Sequence, residues 1–517
     1  MNTIDDLVRI FAAQTPDAPA LTFNGVTQSY AALDGTSNAL ADGLAKAGVA
    51  AGDRIAFIGR NRPEHFELIF AVAKLGAISV GMNWRLNPVE LAAQIRDCEP
   101  RIIFAARESL DAVEAAVSQV GAPPLIASFD GDDAGGYAHI LHSGDPAPRA
   151  KVAQPDELCM ICYTSGTTGA AKGVTFTHGS LGAIFPGAAK AWGFDRDSIN
   201  LVCMPTFHTA GTLWGLLALS QGAHDILVAD FDPAAIVDLM AQRRVTNSMF
   251  APIMLEQVIA AIEQRPDLTL PDLRTVLYGA APITEAVLAR AVASLGCGLV
   301  QGYGLTEING TITILGAEDH VLEGPGRARL RSAGKAVPWG AVRVVDPETG
   351  TDLPVGEVGE VWGRSPGLMR GYWHKPDETK AALTPDGWLR TGDAGYLDAD
   401  GYLFLTDRIK DMIVTGGENV YPIEVEHVLA AHPQVEAVAV IGVPDRKWGE
   451  TVKAVVVPRG PAPAPEPLIE WARERLARYK CPTSVDFVAE MPRNASGKIL
   501  KRVLRDTYWS GHDRRIG

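Results

Sequence analysis

The feature that most restricts the fold is an alternation between two hydrophobic periods. "YAALDGTSNALADGLAKAG" reads as an amphipathic helix ending at Gly48, and "DRIAFIG" as a buried strand. "HFELIFAVAKLG" and "AISVGM" repeat the pair, and the rhythm returns between Ser180 and Val300. Helices and strands in strict turn cover largely parallel sheets, so the expected class is α/β in layers. At 517 residues the chain exceeds one ordinary compact domain, and its 47% hydrophobic content supports large cores rather than disorder.

From Gly334 to Leu405 the texture changes. "AVRVVD", "GEVWG" and "GYLFL" are short strands punctuated by Gly, Pro and Asp, which predicts a small β-rich subdomain. "TDRIKDMIVTGGENVYP" then opens a final α/β unit, giving an expected division into residues 1–406 and a smaller 407–517. "PRGPAPAPEP" reads as a Pro/Ala-rich surface loop inside that unit.

The formal net charge of −14 argues against a nucleic-acid partner. From Arg408 onward, 17 Lys/Arg stand against 14 Asp/Glu, so a weakly basic piece follows an acidic body. That contrast suits an anionic ligand held between them, and equally suits solvated surface charge. The N-terminus "MNTIDDLVRIFAAQTPDAP" has acids early and no apolar core, "DRRIG" matches no address signal, and no stretch is long and apolar enough to span a bilayer. Six scattered cysteines fit a reducing compartment, so a cytoplasmic location is expected. Cys159 and Cys162 form a C-x-x-C, but within the apolar run "LCMICY" and with no second pair, so they read as buried strand residues.

That run feeds "YTSGTTGAAKGVTFTH" (163–178), whose composition is that of a phosphate cradle. Glycines let backbone N–H groups converge, hydroxyls add donors, and Lys172 adds positive charge. It is not a Walker loop, because Lys172 follows Ala171 and precedes "GVTFTH", whose alternation reads as a strand rather than a helix. The predicted device is strand, loop, strand.

Four further polar motifs interrupt apolar context: "QGYGLTE" (301–307), "LRTGDAGYLDADGY" with Asp393 in a turn, "DRIKD" (407–411) and "PRNASGKILK" with Lys498. Singly, each has an ordinary structural role open to it. Thr306 and Glu307 would cap a helix, Asp393 would stabilise its turn, Arg408 would pair with Asp411, and Lys498 would be solvated. Together and in this order they resemble, over essentially the whole chain, the adenylate-forming superfamily of acyl-CoA synthetases, luciferases and peptide-synthetase adenylation domains. The resemblance implies that Thr164, Ser165, Gly166, Thr167, Thr168, Gly169 and Lys172 hold the ATP phosphates. Ala171 departs from the family's usual proline, which would pre-set the turn, but no phosphate donor is lost. Gly279, Ala280 and Ala281 of "GAAPI" would border the adenine with Gly302 and Tyr303, the tyrosine ring stacking on the base. Glu307 would reach Mg²⁺ and Thr306 the phosphates, while Asp393 with Arg408 would take the ribose hydroxyls.

The implied chemistry has two halves. A carboxylate attacks the α-phosphorus of ATP to give an acyl-adenylate, and a thiol then displaces AMP. Lys498 would serve the first half and swing away for the second, by rotation of the 407–517 unit about a hinge at Asp407. "GGENVYP", with Gly416, Gly417 and Glu418, resembles the synthetase segment that lines the pantetheine tunnel, which favours free coenzyme A as acceptor. His208 in "MPTFHTAGTLWG" resembles the family histidine beside the acid's carboxyl end, although a lone His beside Phe207 suits a core position equally well. With "MFAPIM", "YGAAP" and "EINGTIT", that stretch would build an acyl pocket with no second positive charge, hence one for an apolar monocarboxylic acid: fatty, aromatic or a steroid side chain. Two other classes stay open at this point: an acyl-AMP ligase loading a carrier protein, and a non-catalytic nucleotide-binding protein. A homodimer is the candidate assembly.

Overall fold

The computed structural model describes residues 2–131, 135–164, 171–281, 283–408, 411–415, 418–445, 448–493 and 497–509, with backbone alone at 407, 408, 414, 418, 419 and 449. Among these residues the strands form four sheets. In the nine-stranded sheet a parallel block runs Gly298–Tyr303, Thr275–Gly279, Asn247–Phe250, Ile199–Val202, His224–Leu227 and Pro19–Phe23. Antiparallel strands close both its edges. The seven-stranded sheet is parallel through Leu158–Thr164, Ile78–Met82, Arg54–Ile58, Ile102–Ala105 and Leu125–Ser128, then antiparallel through Lys172–Thr177 and Gly371–Tyr372.

One hydrophobic cluster joins the two sheets. Leu21, Val202 and Leu277 from the first meet Phe57, Phe104 and Phe176 from the second, with Phe66 and Phe70 of the helix Pro63–Lys74 between them. That helix is buried from His65 to Lys74, which is why its sequence is largely apolar, and its buried His65, Glu67 and Lys74 are hydrogen-bonded to Thr206, Tyr137 and Asp34. Helix starts follow local chemistry. Asn87 closes a capping box with Glu90, and Asp232 caps the helix opened by Pro233.

The expected β-rich region is present as the antiparallel sheet Ala341–Val345, Gly359–Arg364, Leu389–Leu397 and Leu403–Arg408. It is less separate than its sequence implies. Lys335–Ala336 pairs onto the nine-stranded sheet and Gly371–Tyr372 onto the seven-stranded one. The C-terminal unit has its own five-stranded sheet and its own core around Val425, Val440 and Val456.

Three local expectations need correction. Asp393 does not sit in a turn; it lies inside the strand Leu389–Leu397, just after Gly392 at φ +69° and before a register shift at Ala394/Gly395. A glycine with positive φ and a bulge supply the irregularity that looked like a turn. The Pro/Ala-rich loop is shorter than it reads, since Pro465 starts the helix Pro465–Arg473, proline being well suited to a first helical turn. Asp407 is still a strand residue, register partner of Ala394, so the ladder runs through Arg408 and past the expected boundary. Cys159 and Cys162 are buried in their strand, and burial pushes the Cys162 thiol up to about 12.

Candidate active site

The parallel strands of the nine-stranded sheet all end on one side, and their C-terminal ends bring the predicted segments together. Val202, Phe250, Gly279 and Tyr303 end adjacent strands, and after them come the loop to His208, "APIM", "AAP" and "GLTE". Ligands of open α/β sheets bind at these ends. Gly279 and Gly302 are register partners, and a Cβ on Gly279 would stand 2.4 Å from the Gly302 carbonyl oxygen, so only glycine fits there. Ala280 follows at φ +67°, a left-handed conformation that costs a non-glycine residue strain.

The two strands expected to flank the glycine-rich loop are present. Thr164 ends one strand and Lys172 begins the next, paired across the hairpin mouth. Ser165, Gly166, Thr167, Thr168 and Gly169 lie outside the described residues, as do Gly416 and Gly417. The Lys172 ammonium, 17% exposed, is 2.7 Å from Glu378 Oε2 and 4.9 Å from the centroid of the Tyr372 ring. Tyr372 Oη donates to Glu307 Oε1 at 2.8 Å. Thr306 and Glu307 sit in a 3₁₀ turn, Thr306–Ile308, and make no side-chain cap.

The residues expected at the nucleoside are also joined. Tyr303 Oη donates to Asp393 Oδ2 at 2.7 Å, and Asp393 is buried. Asp393 is the register partner of Arg408, so the two expected ribose residues sit on one rung. Asp411 Oδ1 accepts from Arg505 Nη1 at 2.8 Å.

His208 precedes the helix Thr209–Leu219 and caps it, Nδ1 accepting from the Ala210 N–H at 3.1 Å. A backbone N–H can only donate, so the ring proton belongs on Nε2. Burial pushes the imidazole down to about 4, which leaves it neutral at pH 7. Its loop is pinned from below by residues that sequence reasoning missed. Asn61 Nδ2 donates to the Met204 carbonyl at 2.9 Å, and Asn61 Oδ1 accepts from the Thr206 N–H at 2.8 Å. His65 Nδ1 lies 2.7 Å from Thr206 Oγ1.

Lys498 lies between Gly497, whose carbonyl accepts from Arg493 Nη1 at 2.7 Å, and Ile499, which is bridged to Arg493. Gly497 comes close to the body: a Cβ on it would be 3.3 Å from Ile253 Cγ2, inside the "MFAPIM" segment. Among the described residues no group of three or more His, Cys, Asp or Glu side chains would hold a metal ion. A single carboxylate at Glu307 nevertheless suits Mg²⁺, which retains waters and binds through one or two carboxylates plus substrate phosphates.

Comparison with known proteins agrees with this geometry. The family model for AMP-binding enzymes matches residues 8–373, and that for the AMP-binding enzyme C-terminal domain matches 424–498. The chain belongs to the AMP-binding enzyme family. It is an adenylate-forming enzyme of the acid–thiol ligase type. It is 37% identical to the fatty acid–[acyl-carrier-protein] ligase ScoC of Streptomyces coeruleorubidus, over 100% of this chain and 98% of the relative. It is 39% identical to a feruloyl-CoA synthase of an Amycolatopsis species, over 96% and 97% of the two chains. Among solved structures, ATP-bound MatB from Rhodopseudomonas palustris superposes with a TM-score of 0.89 at 31% identity, covering 99% of this chain and 100% of that one. The apo crystal structure of MatB superposes with a TM-score of 0.78 at the same identity and coverage.

Proposed function

We propose that the protein activates an apolar monocarboxylic acid to its acyl-adenylate, with release of pyrophosphate, and then passes the acyl group to coenzyme A with release of AMP. One observation carries the reading. The short stretch Tyr303–Glu307 is bonded at one end to Asp393 and at the other to Tyr372 beneath Lys172. A ribose grip and a phosphate grip would then share one loop.

The carboxylate and the triphosphate repel, and negative charge builds on the phosphoryl oxygens during attack, so the site must supply cations and alignment. Lys172 addresses the terminal phosphates and Lys498 the reacting centre. Mg²⁺ held by Glu307 and phosphate oxygens would neutralise further charge. His208, neutral with its proton on Nε2, offers a hydrogen-bond donor to the acid's carboxyl group without adding a full charge to the apolar pocket. The segments around it contain no Lys or Arg, which supports a substrate with one carboxylate and no second anionic group. The proximity of Gly497 to Ile253, and the better superposition on ATP-bound than on apo MatB, support an arrangement suited to the first half-reaction. Rotation of the C-terminal unit about Asp407 would then open the way for the thiol. The six free thiols support a reducing, cytoplasmic setting.

The test separates the two halves. Lys498→Ala should slow acid-dependent pyrophosphate release ~100-fold or more. It should spare thioester formation from supplied acyl-adenylate, because only the first half transfers a phosphoryl group, while the thiol attacks at carbon. Equal losses in both would overturn the role of Lys498. A second reading has the acyl group delivered to a carrier protein, and the likeness to ScoC favours it. Supplying coenzyme A and a phosphopantetheinylated carrier protein in parallel decides between them.

A further inference from the structure

Lys172 and Glu307 reach the site from different sheets. Lys172 begins the strand Lys172–Thr177 of the seven-stranded sheet, whereas Glu307 follows Gly298–Tyr303 of the nine-stranded one. One segment, residues 369–379, is bonded to both. The Met369 N–H donates to the Glu307 carbonyl at 2.8 Å, and Tyr372 Oη donates to its carboxylate. Toward the lysine strand, the Arg370 N–H donates to the Thr175 carbonyl at 2.8 Å and the Trp373 N–H to the Gly173 carbonyl at 2.7 Å. The segment is also tied to itself, the Tyr372 N–H donating to Thr379 Oγ1 at 2.9 Å.

We propose that Tyr372 is a positioning residue that sets Glu307 and Lys172 relative to one another, with residues 369–373 as the strap that carries it. This rests on the reading of Glu307 as the Mg²⁺-side residue and Lys172 as a phosphate ligand. The hydroxyl occupies Glu307 Oε1, which fixes the carboxylate's rotation and leaves Oε2 as the oxygen for a cation. Loss of a partner that orients a metal-side carboxylate in this way typically costs about 10- to 100-fold in metal affinity. The ring face, 4.9 Å from the Lys172 ammonium, attracts it without neutralising it. The full counter-ion is Glu378, whose side chain is 40% exposed and which Lys375 also approaches at 3.6 Å, so water and a second cation compete for it. An arriving triphosphate therefore replaces Glu378 at Lys172, while the ring contact keeps the lysine in place. The sequence gives no sign of this, because "GYWHKPDETK" lacks the glycine-rich or alternating pattern that marks the other motifs.

Binding of ATP by calorimetry, with no acid present and Mg²⁺ titrated, tests the proposal without turnover. Tyr372→Phe keeps the ring and its packing and loses only the hydroxyl. It should raise the Mg²⁺ concentration for half-maximal enhancement of ATP binding roughly tenfold, leaving Mg²⁺-free ATP binding unchanged. Glu307→Gln should raise it as well, and the double variant should show no further shift. Tyr372→Leu should in addition weaken Mg²⁺-free binding, through Lys172, at a melting temperature within a few degrees of Tyr372→Phe. If Glu307→Gln shifts the Mg²⁺ dependence and Tyr372→Phe does not, or if the two shifts add, the coupling is wrong and the site reading stands. If Glu307→Gln leaves the dependence unchanged, the reading of Glu307 falls and the proposal with it.

Discussion

Asp393 shows how much a single carboxylate can be asked to do. It is buried, it takes the Tyr303 hydroxyl on Oδ2, and its own N–H donates to Thr391 Oγ1 at 3.0 Å, so its position is over-determined before any ligand arrives. Hydrogen bonds to a charged group are worth roughly 1.5–3 kcal/mol each. Asp393→Ala should therefore weaken ATP binding by about 10- to 100-fold, and it should also release the Tyr303 ring. An ATP dissociation constant unchanged in equilibrium binding would refute the ribose assignment. This residue was visible in the sequence because a carboxylate between glycines interrupts an apolar stretch. Its setting was not visible, since Gly392 with positive φ has the same letters in a bulged strand as in a turn. Tyr372 and Glu378 are the opposite case. Nothing in their neighbourhood marks them, and they acquire meaning only when the two-residue strand Gly371–Tyr372 pairs with Thr175 and Val174.

The elements themselves were largely legible. Helices Tyr30–Lys46 and Pro63–Lys74, and strands Arg54–Ile58 and Ile78–Met82, follow from periodicity, because burial on one face or on two leaves different patterns. Strand order was not legible, since it depends on partners distant in sequence. One consequence concerns the loop from Cys203 to His208. Asn61 holds it by bonding both Met204 and Thr206, and it does so from the turn after a strand of the other sheet. Asn61→Ala would leave the Thr206 N–H and the Met204 carbonyl buried and without that partner, at a cost of about 1–3 kcal/mol per group. The loop should loosen where His208 stands. The expected result is a KM for the acid raised more than the KM for ATP, with His208 still neutral. Equal changes in both constants would mean that Asn61 merely stabilises the fold.

At the scale of the whole molecule, the division into a large body and a small C-terminal unit was expected from the change of texture near residue 407. The ladder Asp393↔Arg408 and Ala394↔Asp407 refines that boundary, because the body's sheet continues into the proposed pivot. Proline at 407 would fix φ and remove an N–H from the backbone. Asp407→Pro should retain one equivalent of acid-dependent pyrophosphate release in a single turnover and lose most thioester formation. Circular dichroism checks that the sheet survives. Wild-type rates in both halves would rule out Asp407 as the pivot.

The rung shared by Asp393 and Arg408 has a mechanical meaning. If the C-terminal unit turns about this point, Arg408 lies beside the pivot, Lys498 belongs to the turning unit and Asp393 to the body. The same swing would then move the lysine and leave the ribose carboxylate in place. A lever of this kind lets one side chain leave the reacting phosphorus while the adenylate stays gripped, so the reactive anhydride need never be let go between the two halves of the reaction.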